Sequence, residues 1–127
     1  MLGKADQEGN VELVNAGHTP VLMNSGDVVE LIQATDIPLG MFCATDFGSV
    51  KLHVPAGGSL LLYSDGITEA TDDKDDEYGL SQLTQVSFDA RHFPLSEVPR
   101  IISERVARFT TGRQASDDRT LLVIGRG

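Results

Sequence analysis

One short stretch constrains the fold more than any other. Leu60-Leu61-Leu62-Tyr63 is a compact apolar run that stops at Ser64 and turns acidic in Asp65-Gly66-Ile67-Thr68-Glu69-Ala70. A run that short and that apolar, bounded by turn residues, reads as a strand buried inside a sheet. Gly66 permits a sharp change of direction, so Asp65 falls at the exit of a rigid element that can aim its carboxylate. A second acidic segment, Ala115-Ser116-Asp117-Asp118-Arg119-Thr120, leads into the apolar run Leu121-Leu122-Val123-Ile124. Two strands with aspartates at their ends can bring several carboxylates close together. Like charges at that separation repel, and a divalent cation is their natural partner. The same residues also suit two ordinary turns, because Asp and Gly favour turns wherever they occur.

The rest of the first half alternates like β-structure. Val11 to Val14, Val21 to Met23, and Val28 to Ile32 are expected strands, separated by turns at Asn15 to Pro20 and Asn24 to Asp27. Val50, Leu52 and Val54 share one face of a fourth strand, and Ser59 to Ser64 is the fifth. The chain then changes period. Leu80, Leu83 and Val86 recur at helical spacing between Tyr78 and Ala90. Val98, Ile101, Ile102, Val106 and Phe109 line one face of a longer helix. Ser96 is placed as its N-cap, Pro99 in its first turn and Gly112 as its C-terminal cap. Thr120 to Ile124 closes the chain as a strand. Strands, then helices, then a closing strand indicate an α+β layered domain.

Composition narrows the function classes. The 127 residues suffice for one domain or part of one. A net charge of -9 with only three lysines (Lys4, Lys51, Lys74) argues against nucleic acid, which demands clustered cationic side chains. No apolar run approaches the ~20 residues that span a bilayer, and Met1 to Asn10 lacks a basic-then-apolar leader pattern, so a cytoplasmic location is expected. The lone Cys43 excludes an intrachain disulfide and a multi-cysteine zinc site. No Arg follows it in Ala44 to Ser49, against a cysteine-dependent phosphatase, and Cys43 is read as a small core residue.

Four blocks together resemble a known family. Asn15-Ala16-Gly17-His18-Thr19-Pro20, Pro38-Leu39-Gly40, Tyr63 to Ala70 and Asp117 to Ile124 occur here in the order found in the metal-dependent serine/threonine phosphatases of the protein phosphatase 2C class. The match is to the bacterial sporulation-stage-II-E branch. The resemblance implies an antiparallel β-sandwich flanked by helices. It also implies a metal site that includes Asp65 and Asp117, with Asp118 as a further or alternative ligand and Asp117 the preferred one. Gly66 and Glu69 are candidates for the surroundings of that site. The implied cofactors are two Mn²⁺ or Mg²⁺ ions. They activate a water that attacks a phosphoserine or phosphothreonine, so no side chain is expected to act as nucleophile.

The family's first metal motif, of the form Asp-x-x-Gly-His-Gly, has no counterpart between Met1 and Val14. Residues 1–127 are therefore expected to be the C-terminal portion of a catalytic domain, incomplete at the N-terminus, or a divergent member lacking one metal acid. The implied substrate is a phosphorylated signalling protein such as an anti-sigma-factor antagonist. The alternative is a noncatalytic module that binds a regulatory partner. A surface left open by a missing N-terminal part would also favour self-association.

The remaining polar groups carry blander expectations. His18 shapes a turn, His53 packs or faces solvent within a strand, and His92 lies in a loop without a ligand partner. Asp72 to Glu77 resembles a calcium loop but lacks its central Gly and late Glu, so it reads as a solvated loop.

Overall fold

The structure, a computed structural model, describes residues 1–35, 48–111, 113 and 118–127. Its elements run β1 (Leu2–Ala5), β2 (Asn10–Val14), β3 (Val21–Ser25), β4 (Val28–Ile32), β5 (Val50–His53), β6 (Ser59–Tyr63), α1 (Asp65–Thr68), α2 (Gly79–Ala90), α3 (Val98–Phe109) and β7 (Leu121–Gly125). Among the described residues the strands form a three-stranded sheet, β1-β2-β5, and a four-stranded sheet, β4-β3-β6-β7. Every pairing is antiparallel. The expected α+β architecture of two antiparallel sheets with helices is what the chain adopts.

The apolar run at Leu60 has a simple cause. Strand β6 lies between β3 and β7, and both of its faces are covered. Leu60 packs with Val11, Leu13, Val21, Met23 and Val54 in a core between the two sheets. Leu61 and Tyr63 point the other way, into a second core with Leu22, Ile67, Leu83, Val86, Ile102 and Val106. The period of two in β3 and β6 thus feeds two cores at once. The molecule is layered as sheet, sheet, helices.

Helix α2 buries Leu83, Val86, Ser87 and Ala90 against the four-stranded sheet, and α3 buries Val98, Ile102 and Val106. Both sets repeat at the three- and four-residue steps of one helical face. The rings of Tyr78 and Phe109 meet edge to face, 5.3 Å between centroids, and join the start of α2 to the end of α3.

Three local expectations change. Ser96 does not cap α3. It sits inside a 3-10 turn at Leu95–Glu97, and Glu97 takes the cap position without a side-chain bond. The turn supplies the entry geometry that a capping hydroxyl would otherwise secure, and Pro99 does fall at the helix start. Strand β3 runs on to Ser25, so the turn before β4 shrinks to Gly26-Asp27, with Gly26 at φ 65°. Strand β1 and the single turn α1 were not expected. Pro38-Leu39-Gly40, Cys43 and Gly112 lie outside the described residues.

Candidate active site

The site is built around the C-terminal end of β6. Tyr63 is the last ladder residue, paired with Leu121 at the start of β7. Asp65 follows two residues later as the first residue of α1 and is exposed. The α1 turn closes on the backbone of Asp65: its carbonyl accepts the Glu69 N–H at 2.8 Å and the Thr68 hydroxyl at 3.2 Å. Ile67 and Ala70 anchor the motif from beneath, in the core shared with α2 and α3. Gly66 is buried and helical, so the change of direction comes from the helical turn rather than from left-handed backbone. The alternation of apolar Ile67 and Ala70 with Asp65 and Glu69 leaves both carboxylates facing solvent.

The second acidic segment arrives at the same end. Ser64 donates its N–H to the Thr120 carbonyl at 3.0 Å. Its hydroxyl accepts the Thr120 N–H at 2.9 Å and donates to the Asp118 carbonyl at 3.2 Å. The backbone of Asp118 is thereby held beside the residue that precedes Asp65. Asp118 is exposed. Asp117 lies outside the described residues. Among the described residues no group of three His, Cys, Asp or Glu side chains is placed to hold a metal ion.

The Asn15 to Pro20 block docks on the other flank of β6. Asn15 is buried and works on both sides: its amide donates to the Thr19 carbonyl at 2.9 Å, and its oxygen accepts the His18 N–H at 3.0 Å. Gly17, at φ 74°, gives the block its reversal. The Thr19 hydroxyl donates to the Tyr63 carbonyl at 2.6 Å and lies 2.9 Å from Nδ1 of His18. With its single proton committed to Tyr63, that hydroxyl is an acceptor toward the imidazole. His18 therefore sits on an ordered turn at the site's edge, which gives the expected turn-shaping block a specific anchoring role.

The other singled-out groups lie elsewhere. His53 is exposed and within 3.2 Å of the Asn10 side chain. The acidic loop folds on itself. The Asp72 carboxylate accepts the backbone N–H groups of Lys74 and Asp76 at 2.9 and 3.0 Å, and Arg113 bonds Asp75 at 2.8 Å and Thr71 at 3.1 Å.

The comparisons with known proteins agree with this architecture. A family model described as Stage II sporulation protein E (SpoIIE) matches residues 2–127. The chain is 40% identical over 62 residues to the phosphoserine phosphatase RsbP of Bacillus subtilis (strain 168), covering 48% of this chain and 15% of that protein. The structure of the PP2C phosphatase domain and a fragment of the regulatory domain of the cell fate determinant SpoIIE from Bacillus subtilis superimposes with a TM-score of 0.74 at 27% identity, covering 91% of this chain and 34% of that one. The SiaA-PP2C domain of Pseudomonas aeruginosa superimposes with a TM-score of 0.82 at 16% identity, covering 93% of this chain and 47% of that one. The fold is that of the PP2C phosphatases. The chain belongs to the SpoIIE family, and it spans less than half the length of each of these three relatives.

Proposed function

We propose that the chain contributes one edge of the active site of a divalent-metal-dependent phosphatase acting on phosphoserine or phosphothreonine in a signalling protein. The observation that carries this reading is the Ser64 tie, which holds the Asp118 backbone beside the strand exit that presents Asp65. Exposed carboxylates with no apolar cover suit a hard cation such as Mg²⁺ or Mn²⁺. Asp65, Asp117 and Asp118 are proposed to hold it, with Asp117 preferred over its sequence neighbour Asp118 on the family resemblance. A bound metal pair supplies a water of lowered pKa and neutralises phosphoryl charge. The chain's own residues supply aim. The β6–β7 ladder and the α1 turn fix where the carboxylates start, and the Thr19–Tyr63 bond fixes the strand end from the opposite flank. Relatives named for phosphoserine hydrolysis and for PP2C phosphatase domains support the reaction class.

A cage without a counterpart of the family's first metal motif is incomplete, so the 127-residue chain is proposed to bind Mn²⁺ weakly and to turn over little substrate by itself. The test is Mn²⁺-dependent hydrolysis of a phosphoserine peptide. It compares this chain, a polypeptide extended at the amino terminus by the upstream reading frame, and the extended form with Asp65→Asn. The extended form is expected to be active, and Asp65→Asn to lower its turnover by about a hundredfold or more. Unchanged turnover in Asp65→Asn removes the assignment. One alternative, motivated by the lack of an Asp-x-x-Gly-His-Gly counterpart between Met1 and Val14, is a noncatalytic module that binds a regulatory partner. Metal-independent partner binding with no turnover in the extended form would select it. The reading also includes self-association of the chain through β7, which ends its sheet among the described residues.

A further inference from the structure

We propose that Ser64 is a positioning residue for the candidate metal site, setting the placement of Asp118 relative to Asp65 through its hydroxyl. The inference rests on the metal-site reading above and adds a residue to it.

The argument begins with what Ser64 does not do. It occupies the N-cap position of α1, with extended backbone at φ -85° and ψ 156°, yet it makes no side-chain capping bond. A serine there ordinarily accepts an N–H from the turn that follows. Here the hydroxyl turns across to the neighbouring strand, where it accepts the Thr120 N–H at 2.9 Å and donates to the Asp118 carbonyl at 3.2 Å. A hydroxyl has one proton to give, and this one gives it to the backbone of an acidic residue. The partners lie 54 and 56 residues away along the chain. A local, easily made bond is thus forgone for a long-range one.

The position of the tie explains its use. The regular β6–β7 register ends at Tyr63 opposite Leu121. The paired register itself does not reach residues 118–120. Ser64 extends the hold by one residue on its strand, through its N–H and its hydroxyl together. The residue after Ser64 is Asp65, and the residue it grips is Asp118. Any slip between the two strand ends is therefore a slip between the two acids. Ligand positions in metal sites tolerate displacements of only a few tenths of an ångström. On the opposite flank, Thr19 holds the Tyr63 carbonyl at 2.6 Å, so the tie acts against a braced strand rather than a free one.

The test uses the full 127-residue chain with Mn²⁺ as the probe. Mn²⁺ affinity is read from water-proton relaxation enhancement, which detects weak sites. Urea midpoints without metal report folding separately. The variants are Ser64→Ala, Ser64→Cys, Ser64→Thr and Asp65→Asn. Ser64→Ala is expected to weaken Mn²⁺ binding by about tenfold or more, the range seen when groups that orient ligands are removed. Ser64→Thr keeps the hydroxyl and is expected to stay within about threefold of the unaltered chain. If Ser64→Ala fails to fold, the size-matched Ser64→Cys provides the same reading, because a thiol is a poor hydrogen-bonding substitute. Binding in a folded Ser64→Ala or Ser64→Cys chain equal to that of the unaltered chain, with binding lost in Asp65→Asn, overturns the positioning role and leaves the metal site standing. Equal loss in Ser64→Thr and Ser64→Ala also overturns it, since the hydroxyl would then not be the cause. Binding unaffected by Asp65→Asn removes the metal site itself, and the proposal with it.

Discussion

Asn15 shows how much of the site depends on one buried side chain. Its amide is satisfied on both ends, by the Thr19 carbonyl and the His18 N–H. Replacement by Ala removes two part-buried hydrogen bonds, each contributing about 0.5–1.5 kcal/mol. Asn15→Ala is expected to lower the unfolding free energy by about 1–3 kcal/mol, read from urea denaturation. A loss under about 0.5 kcal/mol would show that the block finds another support. Tyr63 gives a second test at this scale. Burial raises the pKa of its phenol above the ordinary value. With a folded pKa above the unfolded one, the associated stability is fully present below the unfolded value of about 10 and is lost as pH rises through the higher folded value. Stability should therefore fall in that alkaline window, and Tyr63→Phe should flatten the fall. An unchanged alkaline slope in Tyr63→Phe would assign the effect to other groups. The strand exit before Asp65 was legible in the sequence because the apolar run Leu60 to Tyr63 ends there, one residue short of it, with Gly66 just beyond. The bonds of Ser64 and Thr19 were not. They join residues 44 to 56 positions apart, which no local pattern encodes.

At the scale of elements, legibility followed length and burial. Helix α3 was visible because Val98, Ile102 and Val106 repeat over three turns with a full apolar face. Ile102 is fully buried in the core shared with α2 and the four-stranded sheet. Ile102→Ala should destabilise by about 2–5 kcal/mol in thermal or urea unfolding, as a cavity beneath the sheet cannot close around it. A cost below about 1 kcal/mol would mean that the helix re-seats. Strand β1 was invisible for the opposite reason. Leu2-Gly3-Lys4-Ala5 carries no β-branched or aromatic residue, and all four positions are exposed in the structure. It is a strand because β2 offers it a partner. Helix α1 has four residues, too few to express a period. Ser96 was misplaced because a hydroxyl before a helical stretch signals a cap, whereas here a 3-10 turn intervenes.

For the whole molecule, the α+β order was readable, but the pairing of sheets was not, because periodicity gives faces and not partners. Among the described residues strand β7 ends its sheet, and Leu122 and Ile124 are 51% and 48% exposed. Unpaired backbone beside apolar side chains invites another strand. The chain should self-associate with rising concentration in sedimentation equilibrium, and Leu122→Thr with Ile124→Lys should hold it monomeric. A monomer at all concentrations would show that this edge is quiet.

The place of β7 in the sheet also has a consequence in time. Tyr63 finds Leu121 only after the segment that builds α1, α2 and α3 has been made and folded back. Contacts so distant along the chain close late, because the entropy of a long loop must be met before any bond rewards it. The strand that carries Asp118 into place is therefore expected to be the last to dock and the first to leave. A ligand bound at that edge is therefore expected to act as a latch on the final folding step, slowing unfolding without hastening folding.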